Sequence, residues 1–330
     1  MSRRQIAAKP PLSRKSFTDS PNGLFVISLT KQHSPSIEKS FMENYSPQKD
    51  FLVGIDSDGC VFDTMEIKHK ECFIPAFINA YELQGVSRFA REAAEFVNLY
   101  SKSRGINRFK ALVEQLDWLS KRPVVKARGV KVPHPEGVIN WIEGETKLGN
   151  PTLEKAVEAT GDPDLQKALT WSRTVNEAIA EMVRGIPPFP YVKKCLERFA
   201  EAADMLVVSA TPNAALEAEW EEHGVASYVR AICGQEAGNK KETLQVAEQY
   251  GENKSLMIGD APGDHQAAVA NNCLFYPINP GNEEASWKRL YEEGIDRFLE
   301  GTFAGEYEKS LFDEFKEYLP ATPPWPVDQN

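Results

Sequence analysis

Residues 54–64, GIDSDGCVFDT, follow the apolar run Phe51-Leu52-Val53. A short apolar run bounded by Gly and Asp predicts a strand buried on both faces and ending near residue 56. A single aspartate there would serve as a turn residue. Two of them, Asp56 and Asp58, spaced i and i+2 and closed by Gly59, ask for a charged partner, because carboxylates at the end of a buried strand must be compensated.

The rest of the chain supplies the frame. After GIPPFP (185–190), stiff by composition, helical patterns alternate with apolar runs. YVKKCLERFAEA precedes MLVVSA, NAALEAEWEEHG precedes YVRAICG, KKETLQVAEQYG precedes SLMIGD, and GDHQAAVANN precedes CLFYPI. This alternation predicts an α/β fold, a Rossmann-like doubly wound parallel sheet with helices on both faces. The first strand belongs to the same sheet. Residues 66–186 lack a comparable strand and read as amphipathic helices, including 68–83, 106–119 and 163–183, so they form an α-helical insertion. The expected organisation is a tail at 1–46, a core of 47–66 plus 187–330, and a helical cap at 67–186. KRPVVKARGVKVP (121–133) reads as a basic surface loop or hairpin. Trp118, Trp141 and Trp171 read as core. Two further helices precede a Pro-rich tail, PATPPWPVDQN.

In open parallel sheets ligands bind beyond the carboxyl ends of the strands. The first strand presents Asp56-Ser57-Asp58, the second Ser209-Ala210-Thr211, and the strand ending MIG presents Asp260 and then Asp264. Lys240 and Lys241 open a helix. Oxygen ligands without neighbouring His or Cys favour Mg²⁺ over zinc. One carboxylate can attack a phosphoryl group, and a second can transfer protons to the leaving oxygen and from water. A lysine and a cation would neutralise the transferring group.

DSDGCVFDT, VVSAT, GNKKETL and IGDAPGD, in this order over residues 51–264, resemble the motifs of the haloacid dehalogenase superfamily of hydrolases, of the type whose helical cap follows the first motif, similar to phosphoglycolate phosphatase and β-phosphoglucomutase. The resemblance implies Asp56 as nucleophile and Asp58 as general acid/base. It implies Ser209 and the adjacent Ala210 at the phosphate, Lys240 (with Lys241 as the alternative) bridging phosphate and Asp56, and Mg²⁺ held by Asp56, the Asp58 carbonyl, Asp260 and Asp264. Family dehalogenases lack an acid matching Asp58, and the phosphonate hydrolases carry Ala there, so both activities are disfavoured. Hydrolysis of a small phosphorylated metabolite is the expectation. A sugar-phosphate mutase of the same superfamily and a non-catalytic phospho-ligand module are the alternatives.

The remaining features bound this picture. A net charge of −10 disfavours general nucleic-acid binding. No apolar run approaches bilayer length. Five scattered cysteines without a CxxC pair read as reduced thiols of a cytoplasmic protein. The Arg-, Ser- and Pro-rich start reads as a disordered tail, with a transit peptide as the alternative. Within SKSRGINRFK (101–110), Arg104 and Arg108 read as an anion clamp over the site, with Gly105 marking a loop-to-helix junction. Asp63 is expected to order the loop, Thr211 to cap a helix, Cys60 to pack, His265 to lie near the surface, and His69 to sit at the hinge into the cap.

Overall fold

The computed structural model describes residues 44–328. Among them five strands, β1 (Phe51–Ile55), β2 (Ala203–Val208), β3 (Ala231–Cys233), β4 (Ser255–Gly259) and β5 (Leu274–Pro277), form one parallel sheet in the order β3-β2-β1-β4-β5. The fold is the α/β doubly wound class expected. β2, β4 and β5 are buried along their whole length, which is why MLVV, LMI and LFY within them read as apolar runs rather than alternating ones.

Register fixes the site. Ile55 lies between Val207 of β2 and Ile258 of β4. Asp56, Ser209 and Asp260 therefore leave the sheet at nearly one level. The chain runs from β1 out through β2 and β3, then crosses to β4 on the other side of β1. The strand order reverses between β1 and β4, and such a reversal opens a crevice at the carboxyl ends of the strands.

Side chains alternate between two apolar layers, as the period of a strand requires. Val53, Ile55, Val207 and Ile258 pack on Leu196, Phe199, Trp287 and Phe298. Leu52, Leu206, Val208 and Met257 pack on Leu244, Ala268 and Phe315 on the opposite face. Between β1 and residue 186 the chain is helical, with Ser87–Asn98, Arg108–Ser120, Glu136–Gly144, Asn150–Thr160 and Pro163–Met182 as its longer helices. These helices share a separate apolar cluster around Phe77, Phe109, Leu112, Trp141 and Trp171. Trp118 is only partly buried, edge-on to Phe96.

Two local expectations change. The basic run 121–133 contains a helix, Pro123–Ala127, not a loop or hairpin. Pro123 stands in its first turn, where a missing N–H costs nothing, and Val125 is buried. The ordered core also begins before residue 47: Tyr45 is buried, its hydroxyl meets that of Tyr250 at 2.6 Å, and Arg230 stacks on its ring. Residues 1–43 of the expected tail, including the candidate transit segment, lie outside the described residues. No helix among the described residues is long and apolar enough to cross a membrane.

Candidate active site

Asp56, Asp260 and Asp264 converge in the β1–β4 crevice, one carboxylate oxygen from each lying within 4.8 Å of the others. Asp56 follows β1 directly, and its Oδ1 accepts from the Ser57 backbone N–H at 2.8 Å. Asp260 follows β4. Asp264 lies in the first turn of the helix Pro262–Ala270, and its Oδ2 accepts from the Ala261 N–H at 3.0 Å. Gly259 permits this turn, because a Cβ there would stand 2.4 Å from the Asp264 side chain.

Lys240 Nζ reaches Asp56 Oδ2 at 2.7 Å and Asp264 Oδ1 at 2.6 Å. The helix Lys240–Thr243 that presents it is fixed by a reciprocal cap between Asn239 and Glu242. Lys241 points to solvent, so of the two candidate lysines it is Lys240 that the fold brings to the carboxylates. Burial alone would lower the Lys240 pKa, but Asp264 and Asp56 outweigh it and raise the pKa. Asp56 is pushed well up by burial, with Lys240 opposing and Asp264 and Asp260 adding repulsion. Asp260 is raised by burial, against the pull of Arg104.

Three buried carboxylates thus face two cations, Lys240 and Arg104. Oδ1 of Asp260 is buried without a hydrogen-bond partner. Leaving such an atom unsatisfied costs about 1–3 kcal/mol, more when it is charged. An oxygen-only donor set with a residual negative charge and one open oxygen fits a hard divalent cation.

Asp58 is held differently. Lys68 Nζ lies 2.5 Å from its Oδ1, the Thr64 hydroxyl donates to the same oxygen, and the Thr211 hydroxyl donates to Oδ2 at 2.5 Å. Burial would raise its pKa, but Lys68 and these hydrogen bonds bring it down to about 2. Thr64, Lys68 and Thr211 were not foreseen as site residues. Thr64 and Lys68 are four apart on a helical run, a spacing that shares one face. Thr211 was read as a helix cap, but its hydroxyl turns to Asp58, and Pro212 holds the cap position. Behind Asp58, Ser57 accepts from Trp220 Nε1 at 3.0 Å and faces Glu219, whose pKa burial and then Asp58 raise to about 7.

Ser209 is buried at the end of β2, its Oγ accepting from the Thr211 N–H at 3.2 Å, and Ala210 beside it is exposed. Arg104 enters the site and binds Asp260: Nε donates to Oδ2 at 2.6 Å. Arg108 does not share a helix face with Arg104, because the helix starts only at Arg108, behind the cap residue Asn107. Its Nη1 donates to Asn176 Oδ1 at 2.7 Å and Ser172 Oγ at 3.0 Å, and its guanidinium covers the Phe73 ring. No carboxylate among the described residues pairs with it, and burial lowers its pKa. His69 is buried in the first helical run, stacks on Phe73, and is pushed down to about 3 by burial and then Arg104. Asp63 stands at the N-cap position but bonds no N–H there. His265 stacks on Phe312, and Cys60 is buried.

This fold and site define a class: an α/β protein with a carboxylate cluster and a lysine at the switch point of a parallel sheet. Residues 137–277 match the model of the haloacid dehalogenase-like hydrolase family. The match takes in VVSAT, GNKKETL and IGDAPGD, while DSDGCVFDT lies before it; the family resemblance is thereby borne out, and with it the class of enzyme, a hydrolase. No curated protein matches the chain significantly. Among solved structures, a protein of Lactobacillus delbrueckii subsp. bulgaricus named as a phosphoglycolate phosphatase is 16% identical, with 81% of this chain and 99% of that chain covered and a TM-score of 0.42. A haloacid dehalogenase-like family hydrolase of Streptococcus pneumoniae is 14% identical over 72% of this chain and 90% of that chain, with a TM-score of 0.35. The magnesium-bound HAD hydrolase YfnB of Bacillus subtilis is 14% identical over 71% and 88%, with a TM-score of 0.37.

Proposed function

We propose that this chain is a Mg²⁺-dependent phosphomonoester hydrolase that acts on a small phosphorylated metabolite through an aspartyl-phosphate. The observation that carries this is the junction of Asp56 with Lys240, Asp260 and Asp264 at the β1–β4 crevice, with Asp58 two residues on. Asp56 is the nucleophile: one of its carboxylate oxygens bonds to phosphorus as the ester P–O bond breaks. Asp58, ionised in the resting site, passes to the departing oxygen the proton that a monoanionic phosphoester brings, and then takes one from the water that attacks the phospho-enzyme, releasing phosphate and restoring Asp56. Lys240, already on Asp56 Oδ2, stands where it neutralises the phosphoryl oxygens. Ser209 and the backbone at Ala210 receive the phosphate.

Asp56, Asp260, Asp264 and the Asp58 carbonyl would hold Mg²⁺, and the open Oδ1 of Asp260 supports that assignment. Bound there, the ion would supply Lewis-acid stabilisation of phosphoryl charge. The insertion 67–186 acts as a cap over the core of 47–66 and 187–330, excluding bulk water when seated. Its separate apolar cluster supports this division. Arg108, a partly buried guanidinium without a carboxylate, is the cap residue suited to an anionic group of the substrate.

The test is phosphate release from a panel of phosphorylated metabolites, with Mg²⁺ and with EDTA, for wild type and Asp56→Asn. The expected result is metal-dependent release by wild type and its abolition in a variant that stays folded. Equal release by the variant would remove the covalent route. Phospho-labelling of Asp56 without phosphate release would favour the mutase.

A further inference from the structure

Arg104 belongs to the helical insertion and Asp260 to the core, yet they form a buried ion pair, both side chains 2% exposed. The guanidinium has a second anchor, Nη1 donating to the Leu99 carbonyl at 2.8 Å. Its backbone N–H closes a turn on Ser101 O at 2.9 Å. The next residue, Gly105, has φ +77°, and a Cβ there would stand 3.0 Å from that of Ala261, the neighbour of Asp260. The loop 101–105 therefore lies directly on the start of the Asp260–Asp264 turn. Gly59 leaves the space from the other side: a Cβ there would meet Arg104 Nη2 at 2.5 Å and Asp260 Oδ2 at 2.7 Å.

The two oxygens of Asp260 have unequal surroundings. Oδ2 is taken by Arg104, while Oδ1 is buried and open. We propose that Arg104 is a positioning residue for the metal centre, fixing Oδ2 so that Oδ1 faces the ion, and that it thereby links ion binding to seating of the insertion on the core. This rests on the metal-dependent reading above. A cation beside a ligand also repels an incoming ion. Here the guanidinium is tied to the oxygen the ion does not need, so orientation outweighs repulsion. Partners of this kind typically change metal affinity about 10- to 100-fold.

The experiment titrates Mn²⁺ into the full chain and reads free ion by its paramagnetic resonance signal. Wild type, Asp260→Asn, Arg104→Gln and Gly105→Ala are compared after thermal unfolding in EDTA has established that each is folded. Wild type should bind one ion, Asp260→Asn should lose it, and Arg104→Gln should bind about 10- to 100-fold more weakly. Gly105→Ala keeps the guanidinium but displaces its loop, and should also weaken binding. Mn²⁺ should slow amide exchange at residues 99–106 in wild type but not in Arg104→Gln. Unchanged or tighter binding by Arg104→Gln would overturn the proposal and leave the metal site standing. If that variant does not fold, wild-type affinity and protection in Gly105→Ala would overturn it equally. Failure of wild type to bind Mn²⁺ would overturn the metal-dependent reading and this proposal together.

Discussion

Asp58 is anchored by Lys68 and Thr64 from the helical run after β1 and by Thr211 from the loop after β2. Its pKa of about 2 lies below the ordinary 3.8. A depressed carboxylate adds stability that is fully present above 3.8 and is lost as pH falls through 2. Lys68→Met should let the pKa rise toward its ordinary value and cost about 2 kcal/mol at pH 7, from the roughly 1.36 kcal/mol that each pKa unit carries. Urea unfolding at a series of pH values checks this. The gap between wild type and variant should be widest above pH 5 and close on the way to pH 2; a constant gap would mean that Lys68 acts through packing alone. Asp58 itself was legible, because a DxD pair behind an apolar run has few other uses. Its partners were not. Thr64 and Lys68 are ordinary helix residues until the turn of the chain aims one face back at the strand end. Thr211 sits in a sequence that equally suits a helix cap.

At the scale of elements, legibility followed burial. Strands buried on both faces leave contiguous apolar runs, which made β1, β2, β4 and β5 plain; β3, only partly buried, was found from its place in the alternation with helices. Long helices showed their period. Ser87–Asn98, however, was not singled out, Glu136–Gly144 and Asn150–Thr160, broken by Gly and Pro, did not stand out, and Val124-Val125 was too short to declare the helix around it. The longest helix, Pro163–Met182, has a complete start signal: Asp162 Oδ1 accepts from the N–H of Asp164 at 2.8 Å and of Leu165 at 3.1 Å, with Pro163 next. Leu165, Leu169, Trp171 and Val175 on this helix belong to the insertion's buried cluster. Asp162→Ala should cost about 1 kcal/mol, and Asp162→Asn much less, since either amide or carboxylate oxygen accepts these bonds. Denaturant midpoints measure both. Equal losses in the two variants would mean that the cap bonds contribute nothing and the charge contributes everything.

At the scale of the whole molecule, the segment after the last helix joins the two parts of the chain again. Lys102 N–H donates to Pro320 O at 3.3 Å, and Asp328 N–H donates to Lys121 O at 2.9 Å. Between them Trp325 sits edge-on to Phe96, 5.5 Å between ring centres, and under the Arg122 guanidinium at 4.3 Å. The sequence shows a tryptophan among prolines and says nothing of where it lands, because the partner helices lie some two hundred residues away. The contacts are unequal in worth. Lys126–Asp328 at 2.6 Å is an exposed pair, and such pairs contribute little. Arg122 is buried and also bonds Glu92, so its stack on Trp325 is a desolvated cation–π contact of about 1–2 kcal/mol. Trp325→Ala should therefore loosen the insertion, while Lys126→Ala should not. Amide exchange gives the reading: in Trp325→Ala, residues 96–122 should exchange about tenfold faster, and β1, β2 and β4 should keep their protection. Equal acceleration throughout the sheet would mean that the strap stabilises the fold as a whole. No acceleration at 96–122 would mean that the insertion is held by Arg104 and its two chain crossings, and that the strap only rests on it.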